Sequence, residues 1–519
     1  MEWRWVFIVS GLLILFALLP YLLAYQMAPP GERFMGILVN PTDGQSYLAK
    51  MRQGASGSWL FRLTFTPEEH PPVFLFTFHI FLGHLSRWLA LPTVPVYHTA
   101  RLVGSLFMLL VLYLFVANWT DDVAQRRVTW GLAAVGAGLG WLVILTGYTT
   151  ADLTIPEAFP FYAAFANAHF PWAIAVLLYI AHTLARTMLD EDHGYPALGW
   201  NTLGLIVATI FMLSTQPFAL FPLGTGVGVL LTWRWLRRRR FPRRESAWAL
   251  VVLVSAIPQL LNGLWAVSEI NPVFHAWHLQ NQTPSPPPWD YLLAYGPLLV
   301  LALLGIWKSW PKLAGGEHDG DVFLLGWLVT NMLLLYAPFG LQRRLSIGLI
   351  VPLAVFAGRG LMRVVLPGIS RRWRSVVVAG TFLVATPSAV LTVAGHTLLA
   401  TTADARLYVS QAEEESFDWL DEHATPDDVV LASPGYSMYI PAQTGARVVY
   451  GHPFETLRAP EREAAVLAFY AGENCDLPAA EAVDYVVYGP REVRLGDGCR
   501  PDGEPVYASG DLSIYQTSD

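Results

Sequence analysis

Charge is what this sequence has least of. Asp, Glu, Lys and Arg make up 14% of its 519 residues, against roughly 25% in a soluble domain. A soluble enzyme would need about twice as many solvating groups. Lysine is scarcer still: Lys50, Lys308 and Lys312 are the whole set among 33 basic residues. The net charge of −7 leaves no basic excess for a nucleic acid to meet. Cysteine is limited to Cys475 and Cys499, with no CxxC and no Cys/His pattern, which excludes a structural zinc knot. There is no internal repeat, and the biased stretches are the Pro-rich 283–288 and the arginine run 237–240.

What is abundant is apolar sequence. Hydrophobic residues make up 54% of the chain and the mean hydropathy is +0.40, which excludes a disordered chain. They gather into runs near the roughly 20 residues that cross about 30 Å of hydrocarbon. These runs fall at about 4–24, 97–118, 128–147, 170–188, 199–215, 218–235, 246–267, 290–307, 322–340, 345–366 and 375–398. The expectation is a polytopic α-helical membrane protein of about 11 transmembrane helices. Residues 3–23 are too long for a signal-peptide core and lack a small-residue cleavage site, so they read as a retained span.

Residues 71–91 are long enough for a further span, and the basic residues decide against it. With eleven spans, the loops holding Arg126, Arg127, Arg186, Arg234, Arg237 to Arg240, Arg243, Arg244, Lys308, Lys312 and Arg359 through Arg374 share one side. Loops 148–169 and 268–289, which have no Lys or Arg, share the other. A further span would invert every later loop. His70, His79, His84 and Arg87 also suit a helix lying along the outer surface. The N-terminus is then cytoplasmic and the C-terminus extracytoplasmic, in a multi-pass protein of the cell membrane.

Residues 1–398 are expected to form the transmembrane domain, with a long first outer loop at 26–96. Residues 399–519 change in composition: helices are predicted at 413–423 and 460–470, and strands at 429–431, 447–450, 485–488 and 513–515. That alternation predicts a small extracytoplasmic α/β domain. Cys475 and Cys499 both fall in it, in a compartment that permits disulfides, and are expected to pair. Two unpaired thiols are the alternative.

Polar residues that solvation does not explain mark the candidate chemistry. Asn40-Pro41-Thr42-Asp43-Gly44-Gln45-Ser46-Tyr47 joins a turn to an amphipathic helix. Thr42 and Gln45 have capping-box spacing, and Asp43 takes the favoured acidic first turn. Asp43 is either a helix-start residue and nothing more, or an exposed carboxylate able to take a proton from an attacking hydroxyl. Glu68-Glu69-His70 offers ligands for a divalent cation, or forms a solvated turn. In loop 148–169, Asp152, Glu157 and His169 stand among aromatic residues, and Glu157 is a candidate second acid. Arg343 and Arg344 lie between two spans on the outer face, where basic residues are disfavoured. Their planar forks suit a lipid phosphate; snorkelling to ordinary headgroups is the plain alternative. Arg101, at the outer end of the second span, is a similar candidate.

The order of features resembles the GT-C superfamily of integral-membrane glycosyltransferases, which includes protein O-mannosyltransferases and lipid A aminoarabinose transferases. The likeness covers roughly residues 1–400. It rests on one span, a long outer loop with Asp43 four residues before Tyr47, and a helix led by His70-Pro71-Pro72. Arg101 then enters the second span, and Arg343-Arg344 leads a late span with Pro352-Leu353-Ala354 and Gly358-Arg359-Gly360-Leu361. The sequence departs from the mannosyltransferases in having Asp43-Gly44 where they carry Asp-Glu, and it lacks their inserted β-trefoil domain.

The resemblance implies a glycosyltransferase that uses a polyprenyl-phosphate sugar donor and an acceptor outside the membrane. It implies Asp43 as the base, with Arg343, Arg344 and Arg101 on the lipid phosphate. It also allows a divalent metal, with Glu157, Glu69 or His169 as ligands; Tyr47 and His70 are further substrate or metal candidates. A transporter or lipid flippase would want ionisable residues near the membrane midplane and inverted repeats, whereas these acids sit in loops. A non-catalytic scaffold presenting the tail is the other alternative.

Overall fold

The computed structural model describes residues 2–315, 319–402, 404–496, 498–501 and 503–517. The Lys312 side chain lies outside this description. The chain is mostly helical, and all eleven apolar runs fall on helices. Among the described residues, five helices are long and apolar enough to cross a membrane: Trp3–Gln26, Thr93–Ala117, His169–Leu189, Arg243–Ala266 and Ile350–Gly368. Three bent pairs raise this to eight: Val123–Val135 with Gly140–Thr146, Pro288–Ala294 with Gly296–Pro311, and Arg371–Ala385 with Pro387–Ala400. The sharpest bend is 85°, between Pro288–Ala294 and Gly296–Pro311.

The remaining expected spans are weaker. Trp200–Thr215 and Asp319–Leu334 have 16 residues each, short of the roughly 20 a span needs. Leu220–Arg238 is longer but carries Arg234, Arg237 and Arg238 in its second half.

The chain divides into two compact units, each built from segments distant in sequence. The first comprises Met1–Leu18, Arg101–Leu260 and Thr283–Gly395; the second comprises Leu19–Ala100, Leu261–Gln282 and His396–Asp519. The second unit therefore joins the whole of the first outer loop, 26–96, to the tail.

In the first unit, helices approach until only glycine fits. A Cβ on Gly305 would lie 2.0 Å from the Phe356 carbonyl oxygen, and one on Gly360 would lie 1.9 Å from that of Leu301. This is the small-residue packing that brings membrane helices into backbone contact.

In the second unit, β1 (Glu32–Phe34) pairs antiparallel with β2 (Tyr408–Ser410). The tail continues with β3 (Val429–Leu431), β4 (Arg447–Val448), β5 (Tyr485–Tyr488), β6 (Tyr507–Ser509) and β7 (Leu512–Gln516). These make one sheet in the order β4-β3-β5-β7-β6, parallel across β4, β3 and β5 and antiparallel beyond. Helix Gln411–His423 opens on a reciprocal cap between Ser410 and Glu413. Val429, Leu431, Val466, Phe469 and Val486 form the core between the sheet and helix Ala459–Ala471. Cys475 and Cys499 are joined, with Cα atoms 5.1 Å apart.

The helix expected over 71–91 runs only from Thr77 to Leu89. Val73 is drawn into a bridge with Phe61, and Phe76 turns the chain at φ 52 before the helix starts. A Cβ on Gly83 would lie 2.0 Å from the Met51 carbonyl oxygen, so this helix lies directly on Pro41–Ala55.

Candidate active site

In the second unit, helix Pro41–Ala55 begins two residues earlier than the Thr42–Gln45 spacing predicts. Asn40 turns the chain at φ 48 and Pro41 takes the first helical position, where its fixed φ is already helical. The expected capping box does not form; the Gln45 amide donates instead to the Met35 carbonyl at 3.5 Å. Asp43 is left in the first turn with its side chain about a third exposed. One of its oxygens accepts from the Asn40 amide. The other, Oδ1, accepts from His452 Nε2 at 3.0 Å.

His452 is buried in the loop that follows β4. Its Nδ1 accepts from the backbone N–H groups of Phe454, at 3.0 Å, and Glu455, at 3.1 Å. The ring proton therefore sits on Nε2, facing Asp43. The same loop sends the buried Glu455 carboxylate to Lys50 Nζ and Ser46 Oγ, both at 2.6 Å. Burial by itself would raise the Glu455 carboxyl, but the Lys50 ammonium, His452 and Ser46 hold it below its ordinary value. Lys50 also sits 4.5 Å above the Phe76 ring. Tyr47 is half-buried and stacks on His79, with centroids 4.6 Å apart.

The Glu68-Glu69-His70 cluster is dispersed by the fold. Glu68 is held by Arg462 through two contacts of 2.7 and 2.8 Å. Burial of Glu68 works upward, yet the Arg462 and Thr66 hydrogen bonds bring its carboxyl below the usual value. Glu69 points outward and is exposed. His70 Nε2 accepts from the Leu63 N–H at 3.0 Å, and Nδ1 reaches the Glu68 carbonyl at 2.8 Å. Both ring nitrogens of His70 are thus engaged by backbone groups. Among the described residues, no three His, Cys, Asp or Glu side chains converge to hold a metal ion.

In the first unit, the conspicuous acids have separate fates. Asp152 is buried and accepts from the N–H groups of Gly138 and Gly140, both at 3.1 Å. It thereby satisfies backbone donors at the break between Val123–Val135 and Gly140–Val143. Asp290 accepts from the Ala151 N–H and the Tyr148 hydroxyl, both at 2.8 Å. Glu157 is buried on the short turn Pro156–Ala158, which packs against the 3₁₀ segment Gln342–Ser346 that carries Arg343 and Arg344.

Both of these arginines are half-buried, and neither is in an ion pair with a carboxylate among the described residues. Arg343 Nε is buried without a hydrogen-bond partner among the described residues. Arg101 differs from them. It is fully buried and donates to the carbonyls of Ala164, at 3.1 Å, and Phe165, at 2.7 Å. It closes the end of helix Pro160–Ala166, a role the sequence gave no sign of. His169 is buried at the start of helix His169–Leu189, against Phe170.

Sequence reasoning missed His452, Glu455 and the burial of Lys50. Asp43 and His452 are 409 positions apart, and no local pattern joins them.

No protein-family model matches the sequence, and no curated protein is significantly similar to it. Solved structures are similar in fold. The archaeal oligosaccharyltransferase AglB from Archaeoglobus fulgidus, in complex with an inhibitory peptide and a dolichol-phosphate, aligns at a TM-score of 0.51 with 12% identity, over 92% of this chain and 69% of its own. ArnT from Cupriavidus metallidurans, bound to undecaprenyl phosphate, aligns at 0.50 with 14% identity, over 97% of this chain and 98% of its own.

Proposed function

We propose, starting from the GT-C fold that this multi-pass membrane chain has, that it transfers a sugar from a polyprenyl-phosphate donor to an acceptor outside the cytoplasm. The observation that carries this reading is a contrast in charge between the two units, each taken by itself. One partly exposed carboxylate, Asp43, is held in place at a helix start, and two half-buried arginines, Arg343 and Arg344, stand without a carboxylate partner among the described residues. The first suits a base and the second suit a phosphate. Of the structures of similar fold, that of AglB contains a dolichol-phosphate and that of ArnT an undecaprenyl phosphate.

In this mechanism Asp43 removes the proton of the acceptor hydroxyl as its oxygen attacks the anomeric carbon. The new C–O bond forms as the bond to the lipid phosphate breaks, so the transfer inverts configuration. The leaving phosphate is already acidic and needs charge neutralisation more than a proton, which Arg343 and Arg344 supply. Glu157, on the turn that packs against the arginine segment, is the second acid in this reading. The N-terminus is cytoplasmic, and the α/β tail, outside, meets the acceptor.

The test is release of polyprenyl phosphate from undecaprenyl-phosphate-linked radiolabelled hexoses and pentoses, with the envelope fraction of producing cells as acceptor. Asp43→Asn keeps the shape and loses the base, so turnover is expected to fall about 10²–10⁴-fold at unchanged thermal stability. Parental turnover by Asp43→Asn would refute the assignment of the base.

A further inference from the structure

We infer that His452 is a positioning residue for Asp43, set there by the tail to fix the plane of the carboxylate. This rests on Asp43 acting as the base. The first support is the hydrogen-bond pattern of the ring. Two backbone N–H groups point at Nδ1, which fixes the tautomer and leaves Nε2–H to donate to Asp43 Oδ1 at 3.0 Å. Turning the ring over would give up both backbone contacts along with the one to Asp43. The imidazole is also enclosed: its side chain is 3% exposed and lies against Phe65, with centroids 5.5 Å apart.

The second support is the face of the helix that the loop grips. Asp43, Ser46 and Lys50 are spaced three and four residues apart, which places them in one row along helix Pro41–Ala55. His452 holds the first, and Glu455 holds the other two. The loop is in turn fastened at its base. The Thr456 hydroxyl donates to the Phe65 carbonyl at 2.7 Å, and the Val448 N–H donates to that of Thr64 at 3.0 Å. A histidine needed only to close its own loop would use Nδ1 and leave Nε2 to any acceptor. Here Nε2 is aimed at the carboxylate to which the proton transfer is assigned. Asn40 holds the other oxygen, so the two donors together set the orientation of the group.

The two nitrogens can be tested separately. His452→Asn puts an amide oxygen where Nδ1 was, so it keeps the loop contacts and loses the donor to Asp43. His452→Gln puts an amide N–H where Nε2 was, so it keeps the donor and loses the loop contacts. In the undecaprenyl-phosphate-linked sugar assay, His452→Asn is expected to lower kcat about 10- to 100-fold, with KM and melting temperature near those of the parent. His452→Gln is expected to recover most of kcat while melting lower. Added to Asp43→Asn, the His452→Asn change should have no further effect.

A purely structural histidine gives the reverse pattern, with parental kcat for His452→Asn, and that result would overturn the inference. So would failure of His452→Gln to recover turnover, or an additive loss in the Asp43→Asn background. If Asp43→Asn itself keeps parental turnover, the proposed function fails first, and the two failures are told apart.

Discussion

The two units treat buried charge in opposite ways. In the first, several carboxylates withdrawn from water are committed: buried Asp152 to backbone N–H groups, buried Asp321 to Arg359 at 2.5 Å, and buried Glu245 and half-buried Asp319 to Arg234, each at 2.6 Å. Arg343 and Arg344 have no such counter-ion among the described residues. In the second, buried Lys50 is matched with Glu455, buried Arg462 with Glu68 and Glu481, and half-buried Arg491 with Glu413, while buried Arg447 is held by the Pro67 and Asp427 carbonyls. The group left partly exposed there is an acid, Asp43. A cation without a carboxylate partner in a half-buried place is costly, so such an arginine persists where an anionic ligand completes it. One unit thus offers cations and the other offers a base.

The largest effect that would sharpen this contrast is on stability. Glu455→Ala leaves the Lys50 ammonium buried without its carboxylate. Removing one partner of a buried pair costs about 3–5 kcal/mol, so the variant should melt well below the parent in a thermal scan in detergent. Arg343→Ala, which removes a cation with no counter-ion, should melt with the parent. Equal losses in the two variants would erase the distinction between matched and offered charge.

That distinction was only half legible in the sequence. The apolar runs fixed the helices, because a segment with no solvating groups has few other conformations open to it. β3, β5 and β7 were visible because short β-rich runs alternate with a charged helix pattern. Arg343 and Arg344 stood out because basic residues are disfavoured on the outer face. Pairing across the chain was not visible. Arg101 resembles Arg343 in sequence terms, and only the fold shows it closing a helix end through the Ala164 and Phe165 carbonyls. That backbone groups engage both nitrogens of His70 was equally invisible. His452 drew no notice at all, since its meaning lies in a residue 409 positions away. Local rules also mislead where a stronger one competes: Pro41 at the helix start displaced the capping box that Thr42 and Gln45 spell out.

A middle-sized effect tests the offered cations. If Arg343 and Arg344 take the donor phosphate, each truncation removes a charge-assisted contact worth about 1.5–3 kcal/mol, roughly a 10- to 150-fold rise in donor KM. A larger fall in affinity for undecaprenyl phosphate than in thermal stability is the expected signature, measured by titration in nanodiscs. Unchanged affinity in both variants would reduce the pair to snorkelling arginines.

The smallest effect is the pH dependence of the matched charges. The Glu68 carboxyl is lowered in the folded protein from its ordinary value of 4.5, with Arg462 and Thr66 outweighing its burial. A carboxyl depressed on folding stabilises the native state fully above its unfolded pKa, and the contribution is lost as pH falls through the folded value. Glu455 has the same sign. The second unit should therefore lose stability on the acid side of about pH 4.5, and Glu68→Gln should remove part of that loss. At neutral pH Glu68→Gln should melt below the parent, and the two melting temperatures should converge as the pH is lowered past that range. Curves that stay parallel at all pH values would show that the Arg462 contact is not ionic in its effect. The offered cations of the first unit have no carboxylate partner to titrate, so Arg343→Ala should leave the shape of the acid limb unchanged.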